Sequence, residues 1–155
     1  MPTDLLDELH QRKPFSSLAQ EAHLNVGRTH ALLQEGLEQV LKAYGLSGTQ
    51  YNVLRILRGA DPRGLCRNEV RDRLLTRMPD VTRLLDRMEQ AGLVTRERDT
   101  ADRRLVTTRL TERGRELVDA LDDPVAEEHE RRLGHLGEAR LRELVRLLTR
   151  ARHPD

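Results

Sequence analysis

Apolar residues recur at helical spacing through the first third of the chain. From Ser16 to Gly45 they stand three, four or seven positions apart, with polar residues between them and no interrupting proline. This pattern predicts a single amphipathic helix of roughly 40 Å, which is longer than a small domain buries on its own. The residues before it, 1–14, end in Lys13 and Pro14 and are predicted to form a loosely ordered arm.

Three shorter helices are predicted in the middle of the chain. Ser47 or Thr49 can cap the first, and the second runs from about Cys66 to Leu75. Pro79 suits the first turn of the third, which Gly92 ends. The apolar stripe of this third helix consists of Val81, Leu84, Leu85 and Met88. A short helix, a tight connector and a second amphipathic helix are typical of a helix-turn-helix.

The apolar period changes from helical to alternating after Gly92. Residues 93–99 and 106–110 alternate in the manner of strands, and the polar segment 100–104 between them contains two arginines. This pattern predicts a β-hairpin directly behind the helix-turn-helix, an arrangement called a wing. Thr111 can cap the helix that follows, because its side chain accepts from the first free backbone N–H groups.

The C-terminal third returns to helical spacing. A kink or break is predicted at Pro124, after which the helix resumes over residues 125–136, and Gly137 separates a last helix. The first and last helices have apolar faces, although the segment between them has a core of its own. The economical arrangement buries these faces against a second copy in a two-fold homodimer. An antiparallel four-helix monomer is the alternative, which a wing in mid-chain disfavours.

Charge is distributed unevenly along the chain. The formal net charge is only +1, from 27 Lys+Arg against 26 Asp+Glu, and every basic residue except Lys13 and Lys42 is an arginine. A GC-rich genome explains the number of arginines but not their placement. Between Arg63 and Arg115 the sequence has 14 arginines and 9 acidic residues, a net charge of +5. A basic middle between acidic flanks indicates a polyanionic partner.

Several classes of protein are excluded by the sequence. One cysteine allows no disulfide framework within the chain, and no apolar run reaches the roughly 18 residues that span a bilayer. The N-terminus has no apolar signal region, so we expect a cytoplasmic protein without a membrane partner. The six histidines lack metal-ligand spacing, and no phosphate loop, nucleophile elbow or helical zinc-protease motif occurs. We therefore expect no metal, no cofactor and no enzymatic activity.

The order of these elements, and three stretches within them, resemble the multiple antibiotic resistance regulator (MarR) family of bacterial transcription factors. The stretches are residues 50–54, residues 81–94, and Asp102 to Arg104 followed by Leu110 to Gly114. The resemblance covers about residues 16–152. It implies a mainly α fold with a small β-hairpin wing, a winged helix-turn-helix whose N- and C-terminal helices form a dimerisation domain. The implied division is an arm over 1–14, a helical dimerisation region over 15–46 and 115–155, and a DNA-binding domain over 47–114.

The resemblance implies a sequence-specific transcription regulator, usually a repressor. Such a regulator binds a pseudo-palindromic operator in double-stranded DNA as a homodimer, and a small molecule or an oxidant releases it. The alternative function is that of a dimeric winged helix that binds no DNA and serves as a protein scaffold or a ligand-binding module. Asp86 and Glu89 favour that alternative, because they lie near the expected DNA-facing side and repel phosphate.

Candidate DNA contacts lie on the polar face of the third middle helix and on the hairpin tip. Arg83 can bond guanine O6 and N7 through its planar fork, whereas a pair with Asp80 or Asp86 on a solvated face is its other interpretation. Asp80 and Thr82 are expected to contact cytosine N4 or a phosphate. Phosphate contacts are expected from Arg77, Arg87 and Arg103. The resemblance implies that Arg104 enters a narrow minor groove and that Asp102 orients the wing.

A pocket for a small aromatic or phenolic effector is also implied by the resemblance. Its nominated residues are Arg28, His30, Tyr51 and Arg55, with a basic side chain pairing with an aromatic carboxylate. The alternative for Tyr51 is a place in the helix-packing core. Cys66 is interpreted as a small structural residue, and the alternative is a redox switch, because a thiol at the start of a helix is more reactive.

Overall fold

The computed structural model describes residues 4–100 and 102–153, and these residues form eight α-helices and three β-strands. In chain order the elements are α1 (Leu5–Glu8), α2 (Leu18–Lys42), α3 (Gly48–Gly59), β1 (Leu65–Cys66), α4 (Arg67–Arg73), α5 (Val81–Gln90), β2 (Val94–Arg98), β3 (Val106–Leu110), α6 (Glu112–Ala120), α7 (Asp122–Leu133) and α8 (Gly137–Arg152). A 3-10 turn, Gly134–Leu136, lies between α7 and α8. The chain divides into two compact units, residues 1–36 and residues 37–155. The mainly helical fold with a small antiparallel sheet confirms the predicted fold class.

The first unit contains α1 and most of α2. Asp4 caps α1 by accepting a hydrogen bond from the N–H of Leu6 at 3.2 Å, and Leu5 is buried. Glu8 forms an ion pair with Arg28 of α2 at 3.4 Å. Within the loosely ordered arm predicted over residues 1–14, residues 5–8 instead form α1. The sequence did not predict this helix, because four residues are too few to show an apolar period. Residues 1–3 lie outside the described residues.

The second unit is built around one hydrophobic core. Side chains from α3, α4, α5, α6 and the strands meet in this core, and those with almost no exposed surface include Val53, Leu54, Leu57, Leu65, Val70, Leu85, Met88, Val94 and Val118. The apolar stripe predicted for α5 is confirmed, since all four of its members are buried. Each such side chain contributes about 1.5–3 kcal/mol when it is buried. Their burial orients α5 and leaves its polar face on the outside.

The three strands form one antiparallel sheet in the order β1-β3-β2. β2 and β3 make the predicted hairpin, with Val94 opposite Leu110. The sequence pattern does not predict β1, whose two residues are too few to show alternation and which pairs Leu65 with Thr108. Gly64 permits this pairing, because its φ is +74° and a Cβ there would lie 2.7 Å from the backbone oxygen of Thr108.

Cys66 stands at the predicted start of α4, as the N-cap before its first residue, Arg67, and it also lies in β1. The start of α5 differs from the predicted one. α5 is capped by Asp80, whose Oδ1 accepts a hydrogen bond from the N–H of Arg83 at 2.9 Å. Pro79 therefore precedes the cap instead of standing in the first turn. An aspartate side chain satisfies a free backbone N–H, which a proline before the helix cannot do.

The predicted caps of α3 and α6 are confirmed. Ser47 Oγ accepts from the N–H of Gln50 at 3.2 Å, and the Gln50 side chain accepts in return from the N–H of Ser47 at 3.0 Å. Thr111 Oγ1 accepts from the N–H of Gly114 at 3.0 Å. These hydrogen bonds place the starts of both helices at the predicted residues.

The break between α6 and α7 falls at Leu121, and Pro124 lies in the first turn of α7. The predicted break at Pro124 is therefore three residues late, since a proline in a first turn removes no helical hydrogen bond. Arg58 of α3 spans this break, because it donates to Asp119 at 2.7 Å and to Asp122 at 2.8 Å. The hydrogen bond from Arg58 lowers the pKa of Asp122. Arg58 thus ties α3 to both helices.

Glu69 stabilises the start of α4 and provides a testable pH dependence. It accepts from the N–H of Cys66 at 2.8 Å and from Arg63 Nη2 at 2.7 Å. The hydrogen bond from Arg63, followed by that from Cys66, lowers the pKa of Glu69 from 4.5 to about 2. Because the folded pKa lies below the ordinary one, the contribution of Glu69 to stability is complete above pH 4.5 and is lost as the pH falls through about 2.

Removal of the Arg63 guanidinium in Arg63→Ala is expected to raise the pKa of Glu69 towards its ordinary value, because the largest cause of the shift is gone. An NMR titration of the side-chain carboxyl groups measures this change. Arg71→Ala is the matched control, since Arg71 pairs with Asp72 and leaves Glu69 untouched. An unchanged Glu69 pKa in Arg63→Ala would contradict the assignment of this ion pair.

Candidate nucleic-acid interface

The polar face of α5 is exposed along its length. Thr82, Arg83 and Arg87 all lie in solvent, while Asp80 caps the helix. Arg83 is 76% exposed, and its Nε lies 3.7 Å from Asp80 Oδ2. An exposed pair at this separation contributes little in water, because solvent and salt screen it. The alternative interpretation of Arg83 as an intrahelical partner is therefore present but weak, and its guanidinium remains available.

The C-terminal end of α5 is held by the start of α6. Thr111 Oγ1 donates to the Gly92 carbonyl at 2.7 Å, and the Thr111 N–H donates to the Leu93 carbonyl at 3.1 Å. Gly114 allows this close approach, because a Cβ there would lie 2.1 Å from the Leu93 carbonyl oxygen. Thr111 and Gly114, which are three residues apart, therefore hold the start of α6 against the segment between α5 and the wing.

Arg96 of β2 joins the wing to α5, a contact that the sequence pattern does not reveal. Its Nη2 lies 2.5 Å from Asp86 Oδ1 and 2.7 Å from Glu89 Oε2, and its N–H donates to Glu89 Oε1 at 3.1 Å. The hydrogen bond to Glu89, and then that to Asp86, raise the pKa of Arg96 against the effect of burial. One guanidinium of the wing thus pairs with both carboxylates and leaves a net charge of −1 in place of −2, which lessens the phosphate repulsion that favoured a scaffold. The sequence feature that could have indicated this contact is the placement of Arg96 seven positions after Glu89, beyond the turn at Gly92.

The wing tip is shaped by Asp102. Its Oδ1 accepts from the N–H of Arg104 at 3.0 Å, and its carbonyl accepts from the N–H of Leu105 at 2.9 Å. Asp99 Oδ1 in turn accepts from the N–H of Asp102 at 3.1 Å. The side chains of Arg103 and Arg104 are exposed at this tip. Asp102 therefore organises backbone, and the two neighbouring guanidiniums project into solvent.

Four of the five arginines proposed to contact DNA have no carboxylate partner among the described residues. Within residues 4–100 and 102–153, no carboxylate lies within 4 Å of the guanidiniums of Arg77, Arg87, Arg103 and Arg104. Arginines that do pair with a carboxylate include Arg58, Arg96, Arg109, Arg115, Arg131, Arg132 and Arg146. The helix-turn-helix and the wing therefore expose cations that no carboxylate of the described chain neutralises.

A cavity of about 280 Å³ lies between α4, α5 and the wing. Its walls include Arg67, Arg96 and Arg104, together with Thr82 and the half-buried Cys66. Arg67 was not identified from the sequence, although its Nη1 donates to Thr82 Oγ1 at 3.2 Å. Arg67 and Arg104, which have no carboxylate within 4 Å among the described residues, make this wall basic, whereas Arg96 is paired with Asp86 and Glu89.

The four nominated effector residues fall in different units. Arg28 and His30 are exposed on α2 in the first unit, and Tyr51 and Arg55 lie on α3 in the second. Tyr51 is 5% exposed and belongs to the hydrophobic core, with the Arg55 guanidinium 5.9 Å from the centroid of its ring. Burial raises the pKa of Tyr51, an effect that the positive charge of Arg55 opposes. The core interpretation of Tyr51 is the one that its burial supports.

The described residues contain no group of three or more His, Cys, Asp and Glu side chains arranged to hold a metal ion. No helix within the same residues combines the length and the apolar character that crossing a membrane requires.

Comparisons with known proteins point to one family. A family model described as MarR family matches residues 44–105. The chain is 31% identical over 132 residues to the HTH-type transcriptional regulator PecS of Dickeya dadantii, covering 82% of this chain and 75% of PecS. It is 34% identical over 80 residues to the uncharacterised HTH-type regulator YkoM of Bacillus subtilis, spanning about half of each chain, 52% and 51%.

Solved structures agree with these sequence relatives. A MarR transcription factor from Planctomyces limnophilus is 43% identical, with a TM-score of 0.68 over 88% of this chain and 98% of that one. A Staphylococcus aureus MepR–DNA complex is 25% identical, with a TM-score of 0.74 over 84% and 94%. Bordetella bronchiseptica BpsR, whose structure concerns regulation of DNA binding by 6-hydroxynicotinic acid, is 27% identical, with a TM-score of 0.76 over 92% and 100%.

These relatives are transcription regulators, and the residues that match the family model, 44–105, contain the exposed arginines Arg77, Arg87, Arg103 and Arg104. The chain belongs to the MarR family and is a DNA-binding, HTH-type transcription regulator with a winged-helix fold.

Proposed function

We propose that this regulator binds a pseudo-palindromic operator as a homodimer and acts as a repressor in the cytoplasm. α5 enters the major groove, and the wing enters the neighbouring minor groove. The observation that carries this proposal is the set of unneutralised guanidiniums on Arg77, Arg87, Arg103 and Arg104. Exposed cations without internal partners gain most from phosphate, because counterions are released when they bind. The MepR–DNA complex among the structural neighbours supports this mode of binding.

The homodimer is supported by apolar surface at both ends of the chain. In the first unit Leu18 is 80% exposed and Val26 is 53% exposed; in the second unit Val145 is 64% exposed. α8 has no buried residue, although it contains four leucines and one valine, several of them at helical spacing. Such surface is stabilised when a second copy covers it. A two-fold pair of recognition helices then meets half-sites about 34–36 Å apart on the duplex.

The first test is DNA binding itself. Genomic fragments that include the upstream region of this gene are incubated with the protein, and the bound sequences are determined. We expect a palindromic consensus, with an affinity that falls steeply as salt increases. Sedimentation or light scattering on the same sample measures the oligomeric state. A protein that no duplex retains at low ionic strength would favour the alternative of a dimeric scaffold that binds no DNA, and a monomer would contradict the proposed homodimer.

Loss of the wing cation in Arg104→Ala is expected to weaken operator binding by about tenfold, because a guanidinium hydrogen bond in the narrow minor groove is lost. The loss is expected to be largest for operators with AT-rich flanks, where the minor groove is narrowest. Fluorescence anisotropy with operators of different flanks measures this difference. Arg12→Ala removes an exposed arginine from the first unit and serves as the control. Equal affinities of both variants would contradict insertion of the wing.

A small anionic effector is the proposed signal for release. BpsR provides the supporting comparison, since its structure concerns regulation of DNA binding by 6-hydroxynicotinic acid. Arg28, His30, Tyr51 and Arg55 remain the predicted contacts for such an effector. The basic cavity between α4, α5 and the wing is a second location, because a ligand there separates the recognition helix from the wing. Screening aromatic acids for displacement of labelled operator tests the proposal, and failure of every acid to displace it would count against this signal.

A further inference from the structure

Arg67 contacts the recognition helix although it belongs to the preceding helix. It is the first residue of α4, and its Nη1 donates a hydrogen bond to Thr82 Oγ1 in the first turn of α5 at 3.2 Å. Within the described part of the chain, no carboxylate lies within 4 Å of its guanidinium. Arg67 therefore has a polar partner on the DNA-facing helix and no acidic partner that would hold it elsewhere.

The hydrogen bond between Arg67 and Thr82 has a fixed direction. A guanidinium has five N–H donors and no acceptor, so the Thr82 hydroxyl must accept. The hydroxyl proton remains available for a further partner. A positive charge beside the oxygen disfavours the approach of a second donor and favours an acceptor. The Thr82 hydroxyl could otherwise donate or accept, and Arg67 thus leaves it to act as a hydrogen-bond donor towards further partners.

The position of Thr82 makes this polarity matter for sequence recognition. Thr82 is the second residue of α5, and the N-terminal residues of a recognition helix contact base edges. In the major groove, guanine presents O6 and N7, thymine O4 and adenine N7 as acceptors, whereas cytosine presents only the N4 amino group, a donor. A hydroxyl restricted to donation distinguishes between these two kinds of edge.

We propose that Arg67 is a specificity-determining positioning residue. It orients the Thr82 hydroxyl as a donor, so that this position of the operator is a base with an acceptor in the major groove, which is guanine, thymine or adenine and not cytosine. The inference rests on the proposed function, in which α5 lies in the major groove. It replaces the expectation from the sequence, in which Thr82 contacts cytosine N4 or a phosphate.

The test measures base preference and not affinity alone. The selected operator is varied through all four bases at each position, and affinities are measured for the wild type, Arg67→Met, Thr82→Val and the double variant. Met preserves the length of the side chain, and Val preserves the shape of threonine. We expect Thr82→Val to reduce discrimination against cytosine at one position by about fivefold. Arg67→Met should reduce discrimination at that same position, and the double variant should lose no more than Thr82→Val.

Two further variants provide matched controls. Arg73→Met removes an exposed arginine, also without a carboxylate within 4 Å in the described residues, from the other end of α4. It should leave the preference unchanged. Thr82→Ser retains the hydroxyl and should retain the preference, which keeps the test informative where Thr82→Val folds poorly. Urea unfolding of each variant shows whether the fold is intact.

The contrary outcomes are distinct. If Arg67→Met weakens binding equally for every base, lowers the salt slope by about one and does so in the Thr82→Val background, then Arg67 contacts phosphate and the proposal fails. An unchanged base profile in Arg67→Met also overturns it. Failure of the proposed function looks different, because Arg83→Ala would then bind the operator as well as the wild type.

Discussion

Replacement of Gly114 by alanine is expected to destabilise the fold by about 3 kcal/mol and to abolish operator binding at physiological temperature. The new Cβ would lie 2.1 Å from the carbonyl oxygen of Leu93 and 3.1 Å from its carbonyl carbon. These are backbone atoms, which cannot turn aside as the end of a flexible side chain can. Overpacking of this kind typically costs about 1–3 kcal/mol, and more where the neighbour is rigid.

The consequence for DNA binding follows from the contacts around Gly114. To relieve the clash, α6 must move away from Leu93, which breaks the hydrogen bond from the Thr111 N–H to the Leu93 carbonyl at 3.1 Å. The bond from Thr111 Oγ1 to Gly92 at 2.7 Å is then lost as well. Both hydrogen bonds hold the chain between α5 and the wing, so their loss lets the two DNA-contacting elements shift apart.

Urea unfolding followed by circular dichroism measures this loss of stability, with operator binding measured on the same preparations. Gly59→Ala is the matched control, since nothing lies within 4 Å of its Cβ position and its φ is not positive. This control is expected to retain or slightly increase the free energy of unfolding, because alanine is the better helix former. An unfolding midpoint of Gly114→Ala equal to that of the wild type would show that α6 does not pack against Leu93.

Replacement of Arg83 by alanine is expected to reduce operator affinity by about 1–3 kcal/mol, the value of one good arginine–guanine contact. The physical reason is that Arg83 gives up little interaction free energy when its guanidinium leaves Asp80 for DNA. Its Nε lies 3.7 Å from Asp80 Oδ2, and the two side chains are 76% and 57% exposed. A pair so exposed is largely screened by water. The gain from a guanine in the groove is therefore almost undiminished.

Specificity separates this effect from a simple loss of charge. Arg83→Ala should blur the preference at one position of each half-site, whereas removal of a phosphate contact weakens binding to all sequences alike. Anisotropy titrations at constant salt, with operators substituted at single positions, measure both. Arg131→Ala is the control, because Arg131 is 60% exposed and pairs with Glu128 three residues away, as Arg83 does with Asp80. Unchanged affinity and preference in Arg83→Ala would mean that α5 does not read bases.

The elements that carry function were predictable because each depends on residues close together in the sequence. The buried stripe of α5 comes from side chains three and four residues apart, which share a helix face in any surroundings. The hairpin of β2 and β3 follows from alternation on each side of a short polar turn. The exposure of Arg83 could be expected because the opposite face of α5 is apolar, and that of Arg103 and Arg104 because they lie in the polar turn between the two strands.

The features that the sequence did not predict all depend on contacts between residues that are distant in the sequence. β1 forms because Leu65 meets Thr108, and neither residue shows this pairing by itself. Arg58 reaches two aspartates more than sixty positions away, and Arg67 reaches Thr82 across a turn. The importance of Gly114 was visible as a motif, but the carbonyl that excludes a side chain there belongs to another segment.

Local periodicity and capping chemistry thus determined which segments became helices, which became the wing, and which arginines faced outward, because these properties need only neighbours along the chain. Packing in three dimensions decided which charges remained free to meet DNA. From the sequence, Asp86 and Glu89 are expected to repel DNA phosphates, yet Arg96 forms ion pairs with both, because the wing folds back onto α5. Coulombic partners are chosen by proximity in space, and only the folded chain establishes that proximity.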